Sequence, residues 1–148
     1  MAIKVLTVDP VVETSQYASG DLIGEKLTIA GAGRALGRGG TIVSLAVVDL
    51  AKQSSALDVV FFDTDPANTT FTDNSAFDIH DTDADTIMGV VKVAAGDYSA
   101  FNDNSAASVE NIQLGYDVQT LYAAIVSRGT PTYVATGDVR LVIAFDQD

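Results

Sequence analysis

TIVSLAVVDLAKQSSALDVVFFD, residues 41–63, decides the fold class. In its first half Val43, Leu45 and Val47 fall on one face. In its second half Leu57, Val59 and Phe61 do the same. Successive side chains of a strand point to opposite faces, so each run offers one continuous apolar face to a core. The opposite faces are mixed, with Ser44 and Ala46 on one strand and Asp58 and Phe62 on the other. The segment between them, residues 50–56, carries Lys52, Gln53, Ser54 and Ser55 and reads as a polar turn. The stretch is therefore expected to be a β-hairpin.

Outward from it, the same alternation recurs. Val139, Leu141, Ile143 and Phe145 alternate with Asp138, Arg140 and Asp146, which predicts a final strand. Residues 2–8 read as a strand or an extended arm, ended by Asp9-Pro10 because Pro lacks an N–H and restricts its predecessor. Residues 26–30, 89–94 and 106–114 each suit a strand, and Phe77 and Ile79 suggest a short return to strand. Residues 81–88 suit one helical turn with Asp81 or Thr82 as its cap. Residues 119–128 are contested. Val118, Leu121, Tyr122 and Ile125 follow a helical period, but Tyr122, Ile125 and Val126 favour strands, and strand is the reading adopted. The sum is an all-β chain of about eight strands with at most one short helix, an antiparallel sandwich or jelly roll. Residues 1–10 form a strand or arm, and residues 11–148 one β-sandwich domain.

Composition narrows the function classes. The chain has 148 residues and 47% hydrophobic residues, enough for one domain with its own core. It has no cysteine, which removes disulfides, thiolate metal sites and thiol nucleophiles. Twenty acidic side chains against eight basic ones give a net charge of −12. Such a surface repels phosphate backbones and anionic membranes, so neither nucleic acid nor membrane is expected as a direct partner. The amino-terminal run is too short and too polar for a secretory signal, and no run reaches membrane-spanning length.

No motif carries catalysis or a cofactor. The loop GAGRALGRGG, residues 31–40, lacks the Lys and the spacing of a phosphate-binding loop, and Leu36 stands where a dinucleotide fingerprint needs its third Gly. It reads as a structural or interface loop bearing Arg34 and Arg38. Asp81, Asp83 and Asp85 make a DxDxD, but Thr86 and Lys92 occupy the positions where a calcium loop needs Gly and Glu. That leaves a solvated acidic turn, with a looser Ca²⁺ site shared with Asp63, Asp65 or Asp78 as the alternative. His80 is the only histidine and cannot build a typical zinc site alone. The long polar segment 63–76 is expected to be functional or pinned by Phe71. Within it Asn68-Thr69-Thr70 is a formal glycosylation sequon that reads as a turn. The five tyrosines are scattered and read as packing residues.

Three segments resemble a family of small structural proteins of tailed bacteriophages, the head decoration or cement proteins. They are residues 57–79, 88–98 and 121–148, and the likeness is strongest at FFDTDPANTTFTDN (61–74) and SRGTPTY (127–133). The resemblance implies a non-enzymatic virion protein, made in the host cytoplasm, that binds the major capsid protein on the outer surface of the head. It implies a homotrimer at multi-subunit junctions and no cofactor. Residues 1–8 would be an arm dispensable for the fold, with Ile3, Val5 and Leu6 as apolar anchors, and Arg34 and Arg38 would meet capsid carboxylates. The alternative is a receptor- or carbohydrate-binding β-module of a virion tail or fibre.

Overall fold

The computed structural model describes residues 2–148. Two antiparallel sheets face each other across a common core. The first contains β1 (Ala2–Val8), β10 (Val139–Gln147), β3 (Gly40–Asp49), β7 (Ser105–Val109) and β6 (Tyr98–Ala100), in that order, with β8 (Leu114–Tyr116) also paired to β3. The second runs β2 (Leu27–Ala30), β9 (Thr120–Ser127), β4 (Leu57–Phe62), β5 (Ile87–Val93). One short helix, α1 (Asp81–Ala84), precedes β5. The fold is an all-β sandwich.

The apolar faces read from the sequence meet in the core except at Val43, where a bulge in β3 turns Ile42 inward instead and leaves Val43 lining a groove on the outer face. Leu45 and Val47 of β3 and Leu141, Ile143 and Phe145 of β10 face Leu57, Val59 and Phe61 of β4 and Leu121, Ala123 and Ile125 of β9. Burying each of these large side chains contributes about 1.5–3 kcal/mol. The contested segment 119–128 is strand β9, as read. It lies between β2 and β4 and is paired on both sides, so β-branched residues suit it better than a helix would.

The opening stretch departs from its reading in one respect. β3 and β4 do not pair with each other; they lie in opposite sheets. The connection is not a hairpin turn but a corner between layers. Asp49, buried at the end of β3, accepts hydrogen bonds from the N–H groups of Ala51 (2.9 Å) and Ser54 (2.9 Å). Lys52 and Ser54 take left-handed φ values of 55° and 51°, which turns the chain sharply enough to change sheets. Alternation defines a strand's faces but not its neighbours, which is why the two runs looked like partners.

β4 is buried on both faces. Its second face, Val60 and Phe62, joins Leu22, Ala124 and Val126 in a separate cluster. Phe71, Phe77 and Ile79 cover that cluster, so segment 63–80 is a packed flap and not a loose loop. Phe77 and Ile79 lie in irregular backbone, not in the short strand expected of them. Asp58, whose charge disguised the burial, pairs with Arg128 at 2.9 Å.

β1 pairs with β10 along its whole length, from Ala2 opposite Gln147 to Val8 opposite Leu141. The amino-terminal segment is thus an integral edge strand. Leu6 and Val8 turn inward against the core, which a free arm would not allow.

Candidate partner-binding surface

The flap accounts for most of the acidic and hydroxyl residues that suggested chemistry. Asp83, the middle residue of the DxDxD, is buried. It accepts hydrogen bonds from Asn68 N–H (3.0 Å), Asn68 Nδ2 (3.3 Å) and Thr69 Oγ1 (2.6 Å). The Thr69 hydroxyl donor, followed by Asn68, holds its carboxyl below the usual carboxylate range. Asn68 and Thr69 of the sequon are therefore the flap's anchor. The α1 cap is neither Asp81 nor Thr82: His80 Nδ1 accepts the Thr82 N–H at 3.1 Å, since that imidazole sits one residue ahead of the helix. Lys26 clamps the flap's other side through Asp65, and its Nζ lies 5.8 Å from the centre of Phe71. Among the described residues no three His, Cys, Asp or Glu side chains are placed to share a metal ion.

The tyrosines also act as braces. Tyr17 donates to Asp73 Oδ1 (2.8 Å) and accepts from Glu13 N–H (2.9 Å), while its ring packs edge-on against Tyr133. Tyr98 donates to the Ser55 carbonyl at 2.9 Å. Burial raises the pKa of Tyr17, Tyr98 and Tyr133 above the usual phenol value, so all three remain neutral.

The loop 31–40 is built differently. Its base is fixed from several directions. Tyr116 donates its hydroxyl to the Ala32 carbonyl at 2.7 Å, and Gln147 Nε2 donates to the carbonyls of Gly31 and Ala32, both at 2.8 Å. The Tyr116 phenol is pushed up to about 12 by burial and by the charges of Asp148 and Asp146, so it stays a donor. Gly33 and Gly39 pass so close to neighbouring backbone that no side chain fits. A Cβ on Gly39 would lie 1.8 Å from the Tyr116 carbonyl oxygen, and one on Gly33 would lie 2.0 Å from that of Arg38. The glycines serve close approach, not phosphate.

Above this rigid base the tip stands free. Leu36 is 88% exposed, the most exposed large apolar residue among those described. Arg34 and Arg38 flank it; both are exposed, and neither forms an ion pair among the described residues. A solvated Leu between two unengaged guanidinium groups, on a molecule of net charge −12, is an uncompensated feature.

The same end of the molecule holds the start of β1. Ile3 lies opposite Asp146, and Asp146 lies opposite Thr41, one residue beyond the end of the loop. Ile3 and Val5 are 61% and 57% exposed and project from the outer face of the first sheet. β1 also keeps a free edge, whose outward N–H and C=O groups can accept another strand. The β2 and β6 edges are shorter, with four and three residues, and the other seven-residue edge, β5, belongs to the second sheet.

Comparison with protein-family models and with curated protein sequences finds no match.

Of the five residues expected to meet a partner, four lie toward solvent near one end. Ile3 and Val5 lie on the edge strand, and Arg34 and Arg38 on the adjacent loop. Leu6 turns to the core. Leu36 went unread. Its signal was a single large apolar residue in a loop otherwise made of Gly, Ala and Arg, with no alternation to place it in a core.

Proposed function

We propose that the protein is a decoration, or cement, protein of a tailed-bacteriophage head, acting by binding alone. The observation that carries this reading is the braced loop with Leu36 exposed between Arg34 and Arg38, beside an open edge strand. It supplements the resemblance in segments 57–79, 88–98 and 121–148. The loop offers one apolar anchor and two bidentate cations to a carboxylate-bearing surface of the major capsid protein. Its rigid base limits the ordering cost of binding. The free edge of β1 adds backbone hydrogen bonds to a capsid strand or extended segment. In this reading the partner accepts a strand from neither a free arm nor a disordered tail; it adds one to a preformed sheet.

Stabilisation follows from mass action. A protein that binds only the expanded lattice stabilises it by about 2.7 kcal/mol per site at a hundredfold excess over the dissociation constant. Several copies around one junction multiply the avidity. The acidic remainder of the surface faces solvent, and the packaged genome is not contacted.

One observation favours the alternative of a tail or fibre module binding a glycan. An open groove of about 530 Å³ on the outer face of the first sheet is lined by Thr41, Asn111, Gln113 and Asp146, which can hydrogen-bond sugar hydroxyls. No aromatic ring lines it to stack on a sugar face.

The two readings separate by co-sedimentation with purified expanded heads, immature shells and tails. Binding to expanded heads, weakened by Arg34→Glu or Arg38→Glu, supports the first. Binding to tails alone overturns it.

A further inference from the structure

The outer face of the first sheet is a surface of unusual charge pattern. Four strands contribute to it in register. Across the sheet, Val5 is level with Ala144 and Ser44, Thr7 with Val142, Ala46 and Ser108, and Arg140 with Val48 and Ala106. Small and β-branched residues fill the centre. Among the ladder-paired residues of this face the only charges are Arg140 and Asp146, at opposite ends of β10, and neither is ion-paired within the described chain. The face is therefore neutral on a molecule of net charge −12.

We infer that this face is where two copies of the chain pair, through a two-fold axis that sets Arg140 of each copy against Asp146 of the other. Six residues of strand separate the two charges, roughly 20 Å, too far to pair within one copy. For two identical sheets packed face to face, the axis lies in the plane between them. An axis parallel to the strands sets Arg140 level with its own symmetry mate, and like charges oppose. An axis across the strands, level with Ile143, reverses the strand direction and sets each Arg140 over the partner copy's Asp146. The isologous symmetry then makes both ion pairs from one pattern. In the same arrangement Ala144 meets Val142, Ser44 meets Ala46, and Val5 meets Thr7, so no large side chain opposes another.

The Asp146 end of the face is shaped to receive a guanidinium. The groove of about 530 Å³ described above opens there, with Asp146 on one wall and Asn111 and Gln113 on the other. The Asp146 carboxylate offers bidentate acceptors, and the two amide oxygens offer more. An arginine of the second copy thus meets a cleft with matching acceptors and not a bare charge.

Size agrees with a reversible pair. Four strands at about 4.8 Å spacing and seven residues of length give roughly 450 Å² per copy. About 900 Å² in total is at the lower limit of specific interfaces, where association is weak and concentration-dependent. A copy with its charge elsewhere can approach here because the face itself is neutral. The inference stands apart from the capsid reading, and it favours a two-fold pair over the trimer that the resemblance implied.

Sedimentation equilibrium of the full chain over a range of concentrations, at fixed ionic strength, tests it. The expected mass rises from one 15.4 kDa chain towards two. Arg140→Asp and Asp146→Arg should each weaken association at least tenfold, and the double variant should restore it. Ser44→Lys, near the axis, should give a monomer with an unchanged circular dichroism spectrum. A monomer at every concentration, a trimer, single variants that pair as well as the parent, or a double variant that fails to recover would each overturn the inference.

Discussion

Deleting Ala2–Val8 asks whether the amino-terminal strand belongs to the fold or only reaches for a partner. Leu6 and Val8 are partly buried against the core. At about half the 1.5–3 kcal/mol of a fully buried side chain, the two contribute roughly 2 kcal/mol. The ladder bonds to β10 add about 1 kcal/mol net apiece. Ordering the seven residues of the strand, at the lower end of roughly 1–2 kcal/mol each, offsets the ladder bonds and leaves the side-chain burial as the net gain. Deletion also bares the flank of β10, next to Ile143 and Phe145, to water. The expected loss is about 2–3 kcal/mol, a large share of the roughly 5–15 kcal/mol typical of a domain. With a urea slope of about 2 kcal/mol per molar, the unfolding midpoint should fall by about 1–1.5 M. Equilibrium unfolding followed by circular dichroism reads this directly. An unchanged midpoint would refute the placement of β1 as an integral strand and restore the free arm.

Other outcomes follow from the same geometry. Leu36→Ala should leave stability within about 0.5 kcal/mol, because Leu36 is almost fully exposed, yet weaken head binding by about thirtyfold if the side chain is buried by the partner; titrating expanded heads with labelled protein measures it, and unchanged affinity removes Leu36 from the interface. Gly39→Ala should lower the melting temperature and detach the loop base, since its Cβ has no room beside the Tyr116 carbonyl; a variant that melts with the parent contradicts the close approach. The Asp83 carboxyl lies below the usual range in the folded state, so its stabilising bonds are fully present above the ordinary carboxylate value and are lost as the pH falls through the lowered one. In an NMR titration the Asn68 amide should therefore shift with a midpoint below that of a free aspartate; a midpoint at or above it would show that the carboxylate does not hold the flap.

The parts of the fold legible in the sequence are those set by a strand's own faces. β3, β10 and β4 each announce an inward face, and β9 declares itself once Ile125 and Val126 outweigh a helical period. Neighbour relations are not written in alternation. β3 and β4 looked paired because the turn between them is polar, but Asp49 and two left-handed residues turn that segment into a corner. Asp58 concealed the double burial of β4, and its partner Arg128 is 70 residues away. Asp83 read as part of a solvated acidic turn because spacing cannot show that Asn68 and Thr69 satisfy it in a buried site. On the candidate surface, Arg34 and Arg38 were legible as cations in a glycine loop. Leu36 was not, because only the bracing of Tyr116 and Gln147 beneath it shows the tip standing clear. Leu6 was misplaced by treating three neighbouring apolar residues as one anchor, although a strand sends them to opposite faces.

Decoration, as proposed above, puts the protein on the outside of the head. Imaging phage particles assembled with and without it tests that most directly. The expected result is difference density on the outer surface of expanded heads, at junctions between capsid subunits, with the 31–40 loop and β1 turned toward the shell. Density confined to the tail, or none on the particle, would contradict it.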